Sequence, residues 1–329
     1  MTSPSNKVRL AFVFLFVLLA ANFMAAQGLR DNAPGALDRV PDGQHGQGPG
    51  VMARVPSGGA VVQGNGINYH GGPVMQGNPV PIYVIWYGNW TNGPLASDSP
   101  VTTALVEAFL ASNALGGSSY EAINTTYGDN TGNVSGHLNF SGHFLDSAYS
   151  SGKKLSDRVL PTVVSHAIAG GLPSDPNGVY LILTSSDVSE SSGFCRTYCG
   201  FHTHATIGGA DIKYAFIGNV DKCQSGCEIQ TTGPNSPAAG VGGADGMINV
   251  ITHETEETIT DPDLNAWFDT AGNEDADKCN FKFGPTQTAP NGARFNQTFG
   301  GKNWMIQMEW ENSRGGGCDQ TLGGPFFTN

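Results

Sequence analysis

Charge is scarce in this chain of 329 residues. Asp, Glu, Lys and Arg make up 13% of it, and 16 basic residues against 28 acidic ones leave a formal net charge of −12. So few cations exclude a protein that binds nucleic acid by neutralising phosphates. Also lacking are a Gly-x-Ser-x-Gly elbow, a phosphate-binding loop and any repeat of fixed period, which removes the elbow nucleophile of the α/β-hydrolases, the P-loop nucleotide cradle and the solenoid or propeller architectures.

What is abundant is glycine (46) and proline (19). With low charge, this composition suits a loop-rich, strand-rich extracellular protein. The start of the chain agrees. Lys7 and Arg9, the apolar run Leu10 to Ala21 and the small residues Ala25 and Ala26 have the form of a secretory signal peptide over residues 1–26. The run is short for a membrane anchor, so no membrane association is expected after cleavage. Losing Lys7 and Arg9 takes the charge from −12 to −14. Residues 27–64, rich in Gly, Pro, Asp and Gln, predict a flexible segment, and the folded domain is expected over 65–329.

The six cysteines are Cys195, Cys199, Cys223, Cys227, Cys279 and Cys318. An even number in an oxidising compartment predicts disulfides, with 15 connectivities open in principle. Two Cys-x3-Cys pairs could alternatively make a four-thiolate zinc site. Asn89, Asn124, Asn133, Asn139 and Asn296 begin glycosylation sequons.

Pro81 to Tyr87, Gly178 to Thr184 and Lys213 to Gly218 read as strands, as do Tyr120 to Tyr127, His137 to Leu145 and Trp304 to Trp310. Ser99 and Pro100 open a helix carrying Leu105, Val106 and Phe109, and a second helix is expected from Leu155 to Ile168. The order of elements predicts an α/β (α+β) fold, one domain with a mixed sheet.

The densest chemistry lies in Asp245 to Asp263, DGMINVITHETEETITDPD. On a helix, Met247, Ile248, Ile251, Thr255 and Thr258 share one face, and His253 and Glu257, at i and i+4, share another. His-Glu-x-x-His on a helix holds zinc through its histidines, with the Glu as base. Here His253 and Glu257 are the expected metal ligands, Glu254 the catalytic base, and Asp263, ten residues after His253 and just past Pro262, the third ligand. Carboxylates bind zinc, and would also suit manganese or calcium. The plain alternative is a solvated acidic helix face.

Tyr69-His-Gly-Gly-Pro73 with Ile85-Trp-Tyr-Gly-Asn-Trp90, then Leu181 to Asp187, Gly193 to His202, the second cysteine pair, Gly246 to Asn249, Thr258 to Pro262, Cys279 and Cys318, resembles the EXORDIUM family, also called phosphate-induced protein 1, over about residues 65–322. The resemblance implies a secreted apoplastic or cell-wall protein linked to growth responses. At His253 the sequence departs from many plant members, so a metal site must stand on its own residues. His253-Glu254-x-x-Glu257 with Asp263 also resembles a zincin active-site helix, and by the same analogy His202 and His204, two apart on a possible strand, would lie on the substrate side. His70 and its glycines predict a tight turn or a close backbone approach.

The favoured expectation is a metal-dependent hydrolase, peptidase-like, using one divalent metal, zinc first, on a secreted peptide. The alternatives are a non-catalytic matrix or cell-wall protein, and a carbohydrate-binding module using Trp86, Trp90 and Trp310.

Overall fold

The computed structural model describes residues 65–224, 226–236 and 243–327. The expected signal peptide and flexible segment, 1–64, lie outside the described residues.

Five strands make the main sheet: β1 (Val80–Tyr87), β2 (Leu138–Asp146), β3 (Val179–Thr184), β4 (Gly200–Ile207) and β5 (Ala210–Gly218). Their order is β2-β1-β3-β5-β4. β2, β1, β3 and β5 run parallel, and β4 lies antiparallel to β5 at the edge. Sequence explains the placement. β3, VYLILT, is buried at every position, as a strand covered on both faces must be, whereas the polar edge strand β2 is largely half-buried or exposed. β4 and β5 are joined by Gly208 and Gly209, both at positive φ (60° and 89°), which a tight hairpin needs and only glycine adopts freely.

Helix α1 (Pro100–Phe109) starts where expected: Ser99 Oγ accepts from Thr102 N at 3.4 Å, and Pro100 takes the first turn. The second helix is shorter than expected. Leu155 pairs in a short strand with Glu190, and α2 (Leu160–Ala169) begins at Leu160 with Pro161 in its first turn. Two expected strands are corrected. Tyr120 to Tyr127 holds a 3₁₀ helix, Glu121–Thr126, in which Thr125 and Thr126 hydroxyls donate to the carbonyls three residues back. Trp304 to Trp310 divides into the ends of two short strands, Lys302–Trp304 and Glu309–Glu311. Between them, Asn296 and Asn249 side chains accept from Ile306 N and Gln307 N, so side-chain amides replace a sheet partner.

One hydrophobic cluster runs from Ile67 to Ile306. Trp86 and Trp90 are buried in it edge to face, and half-buried Trp310 donates to Asn65 O under the Lys278 ammonium. The expected exposed aromatic platform is therefore absent at these three residues. Cys195–Cys223, Cys199–Cys227 and Cys279–Cys318 are disulfides, so no four-thiolate site exists. His70 stacks on Phe268, and a Cβ at Gly72 would meet the Asn265 backbone carbon at 2.7 Å, the close approach its glycines predict.

Candidate metal centre

Helix α3 (Gly243–Thr260) lies between the β4–β5 side of the sheet and the C-terminal loops, and all its described side chains but Ala244 are buried. The solvated-face alternative is thereby overturned. Burial of so polar a helix depends on internal satisfaction of its groups. The Thr252, Thr258 and Thr260 hydroxyls donate to the carbonyls of Ile248, Glu254 and Glu256 one turn back. Asp245 in the first turn accepts from Asn235 Nδ2 at 2.8 Å, a favourable charge at a helix start. Two glycines permit the close packing. A Cβ at Gly246 would meet Val220 Cγ2 at 2.7 Å, and one at Gly200 on β4 would meet Glu254 Oε1 at 2.6 Å.

His253 and Glu257 meet as their spacing predicts, with His253 Nε2 3.2 Å from Glu257 Oε1. Glu254 offers an oxygen to the same group, within 4.8 Å of both. The structure adds residues the helix alone could not reveal. A one-turn helix, α4 (Asp275–Lys278), is capped by Glu274 and Asp277 acting reciprocally. Its Asp277 Oδ1 lies 3.7 Å from His253 Nε2, and its Asp277 N donates to Glu257 Oε1 at 3.1 Å. From β4, His202 Nε2 lies 2.6 Å from Glu274 Oε2 and 3.9 Å from Glu257 Oε2. Divalent metals with bonds of about 2.0–2.2 Å hold neighbouring donor atoms roughly 3.0–3.6 Å apart; the 3.2 Å between His253 Nε2 and Glu257 Oε1 falls in this range, and the 3.7 Å from His253 Nε2 to Asp277 Oδ1 lies just beyond it. His253 has no hydrogen-bond partner at either ring nitrogen, whereas the Glu257 and Glu274 carboxyl groups are hydrogen-bonded to one another. All these side chains are fully or nearly fully buried, except that Asp277 is half-buried.

Asp263 is placed elsewhere. It joins His204 and Asp211 in a half-buried group, where Lys213 Nζ pairs with Asp263 Oδ1 at 3.1 Å and Asp211 Oδ2 at 2.7 Å. His204 Nδ1 lies 2.7 Å from Asp211 Oδ1. The turn after Pro262, in which Asp261 Oδ1 accepts from Asn265 N and Ala266 N at 2.6 Å each, carries Asp263 to the β4–β5 hairpin. His202 and His204 thus belong to different groups, His202 to the centre and His204 to the Lys213 network. The available signal for Glu274 and Asp277 was the acidic run Glu274-Asp-Ala-Asp277 ahead of Cys279.

The other side of α3 carries a layer of buried acids. Asn124 Nδ2 donates to Glu256 Oε2, with Glu121 beside them. Tyr120 OH donates to Glu309 Oε2 at 3.4 Å, and Thr260 Oγ1 to Asp275 Oδ2 at 2.7 Å. Burial, which disfavours the charged form, pushes Glu121 up to about 8 and Asp275 up to about 6. It holds Glu256 and Glu309 well above the ordinary carboxylate range, reinforced at Glu256 by Glu121 and at Glu309 by Asp275. Burial likewise raises Glu257, with Asp277 and Asp275 adding repulsion.

Fold and site together define a mixed α+β domain with a His and carboxylate centre buried under an antiparallel edge strand. The family follows from comparison. Residues 67–311 match the model of the phosphate-induced protein 1 conserved region, and the chain belongs to this family, the EXORDIUM group. It is 32% identical over 274 residues to Protein EXORDIUM-like 5 of Arabidopsis thaliana, covering 74% of this chain and 75% of that protein. It is 33% identical over 225 residues to Protein EXORDIUM-like 3 of the same plant, covering 61% and 64%. No solved structure matches.

Proposed function

We propose that this EXORDIUM-family protein is extracellular, holds a divalent cation at the α3 centre, zinc first, and uses it for hydrolysis, with a peptide as the first substrate class. The supporting observation is that donor atoms of His253, Glu254 and Glu257, all buried, lie within 4.8 Å of one another. His253 and Glu257 serve as ligands, Asp277 takes the position the sequence had suggested for Asp263, and Glu254 is the base beside the cation. A bound cation would supply Lewis-acid polarisation and a more acidic water. The chain's own part is to hold Glu254 against β4, where Gly200 leaves room for its carboxylate, ready to accept a proton. The mixed sheet with an antiparallel edge strand packed on a long helix supports the zincin-like analogy. Three disulfides support the extracellular location. Among the described residues no helix is long and apolar enough to cross a membrane.

A second role is favoured by one specific observation: His202, His253, Glu254 and Glu257 are each 0% exposed. A cation there would brace α3, β4 and α4 in a non-catalytic matrix or cell-wall protein. Metal analysis of the purified full chain, with His253→Gln as control, tests the cation in both. Equal, near-zero content in the two proteins would remove both. Hydrolysis of a peptide library that disappears in Glu254→Gln, with cation content retained, would favour the enzyme. Metal without turnover favours the brace.

A further inference from the structure

Among the described residues, Glu257 is the one side chain shared by two ligand groups, His253 with Glu254 and His202 with Glu274. Its two oxygens face different histidines: Oε1 lies 3.2 Å from His253 Nε2 and Oε2 lies 3.9 Å from His202 Nε2. The histidines come from different elements, α3 and β4. We infer that the centre takes a pair of divalent cations bridged by the Glu257 carboxylate, one beside His253, with Glu254 and Asp277 around it, and the other beside His202 and Glu274.

This rests on the cation site proposed above and extends it. Two-cation sites place their metals about 3.5–4 Å apart, a span that one carboxylate bridges by giving an oxygen to each. His253, without a hydrogen bond at either nitrogen, is fully buried beside Glu257, whose carboxyl group is hydrogen-bonded to that of Glu274. Buried polar atoms rarely stay unsatisfied. Charge points the same way: Glu254, Glu257, Glu274 and Asp277 crowd two histidines, with Asp275 repelling Glu257, and each cation bound there offsets part of a buried negative charge that is costly to leave uncompensated. Histidine nitrogens with carboxylate oxygens suit zinc or manganese. The 2.6 Å between His202 Nε2 and Glu274 Oε2 is a hydrogen-bond distance, and a cation entering there separates the two atoms by roughly 0.4–1 Å.

The test is metal stoichiometry on the full chain, stripped with chelator and reloaded with zinc, for the parent and His202→Gln. The expected result is about two zinc ions per chain in the parent and about one in His202→Gln, with circular dichroism unchanged. About one per chain in the parent, whichever variant removes it, overturns the bridged pair and leaves the single-cation proposal standing. None in the parent overturns both. Should His202→Gln not fold, manganese-loaded parent protein decides by electron paramagnetic resonance. A spin-coupled pair supports the bridge, and only the six-line pattern of isolated ions overturns it.

Discussion

Replacing Gly200 by Ala probes the contact on which the placement of Glu254 depends. A Cβ at this position would lie 2.6 Å from Glu254 Oε1, 2.8 Å from Val250 Cγ1 and 3.0 Å from Phe216 O. Two of these neighbours belong to α3 and the third to the backbone of β5, which is hydrogen-bonded in the sheet and cannot retreat. The added methyl therefore has to push α3 away from the sheet or turn the Glu254 side chain. Overpacking of this kind in a filled core costs about 1–3 kcal/mol. With a urea m-value of about 2–3 kcal/mol/M, a loss of about 2 kcal/mol lowers the unfolding midpoint by roughly 0.7–1 M. Glu254→Ala removes one of the three close contacts, so the double variant should recover part of the cost, with a coupling above about 0.5 kcal/mol in a double-mutant cycle. Urea unfolding followed by tryptophan fluorescence measures both. A Gly200→Ala protein within about 0.5 kcal/mol of the parent would refute the packing of Glu254 on β4, and with it the assignment of Glu254 as base.

Further outcomes follow from the other contacts. Asp263→Ala should leave the cation content unchanged and lower stability by about 1 kcal/mol through loss of its partly exposed pair with Lys213; a loss of metal would return Asp263 to the ligand set. Glu121→Gln should flatten the pH dependence of stability. The folded chain keeps this proton up to about pH 8, while the unfolded chain releases it near the ordinary carboxylate value. The parent therefore loses stability as pH rises between those limits and levels off above them, and an unchanged profile in urea titrations at several pH values would contradict the burial of Glu121. Removing Cys279 and Cys318 together opens a loop with a sequence separation of 39 and should cost roughly 4 kcal/mol, read as a lower thermal midpoint; no change would mean that this link does not constrain the unfolded chain.

Much of the fold was legible locally. Ser99-Pro100 announced α1 because a hydroxyl cap followed by proline can do little else before an apolar helical pattern, and the β-branched runs of β1, β3 and β5 announced buried strands. Glu121–Thr126 was misread because Tyr, Ile and Thr favour strands on average, while here the threonine hydroxyls close 3₁₀ turns. Trp304 to Trp310 has strand composition, but its middle is held by the side chains of Asn296 and of Asn249, the latter distant in sequence.

The centre divides the same way. That His253 and Glu257 meet was determined by the sequence alone, since 3.6 residues per turn puts i and i+4 on one face. The fate of Asp263 and the arrival of His202, Glu274 and Asp277 were decided by tertiary structure. Where Asp263 points depends on the turn after Pro262 and on an ion pair with Lys213, and His202 reaches Glu257 only because β4 docks against α3 through Gly200. Helical spacing is a property of the backbone over one turn. Convergence of separate elements depends on packing across the whole core, which no local pattern records.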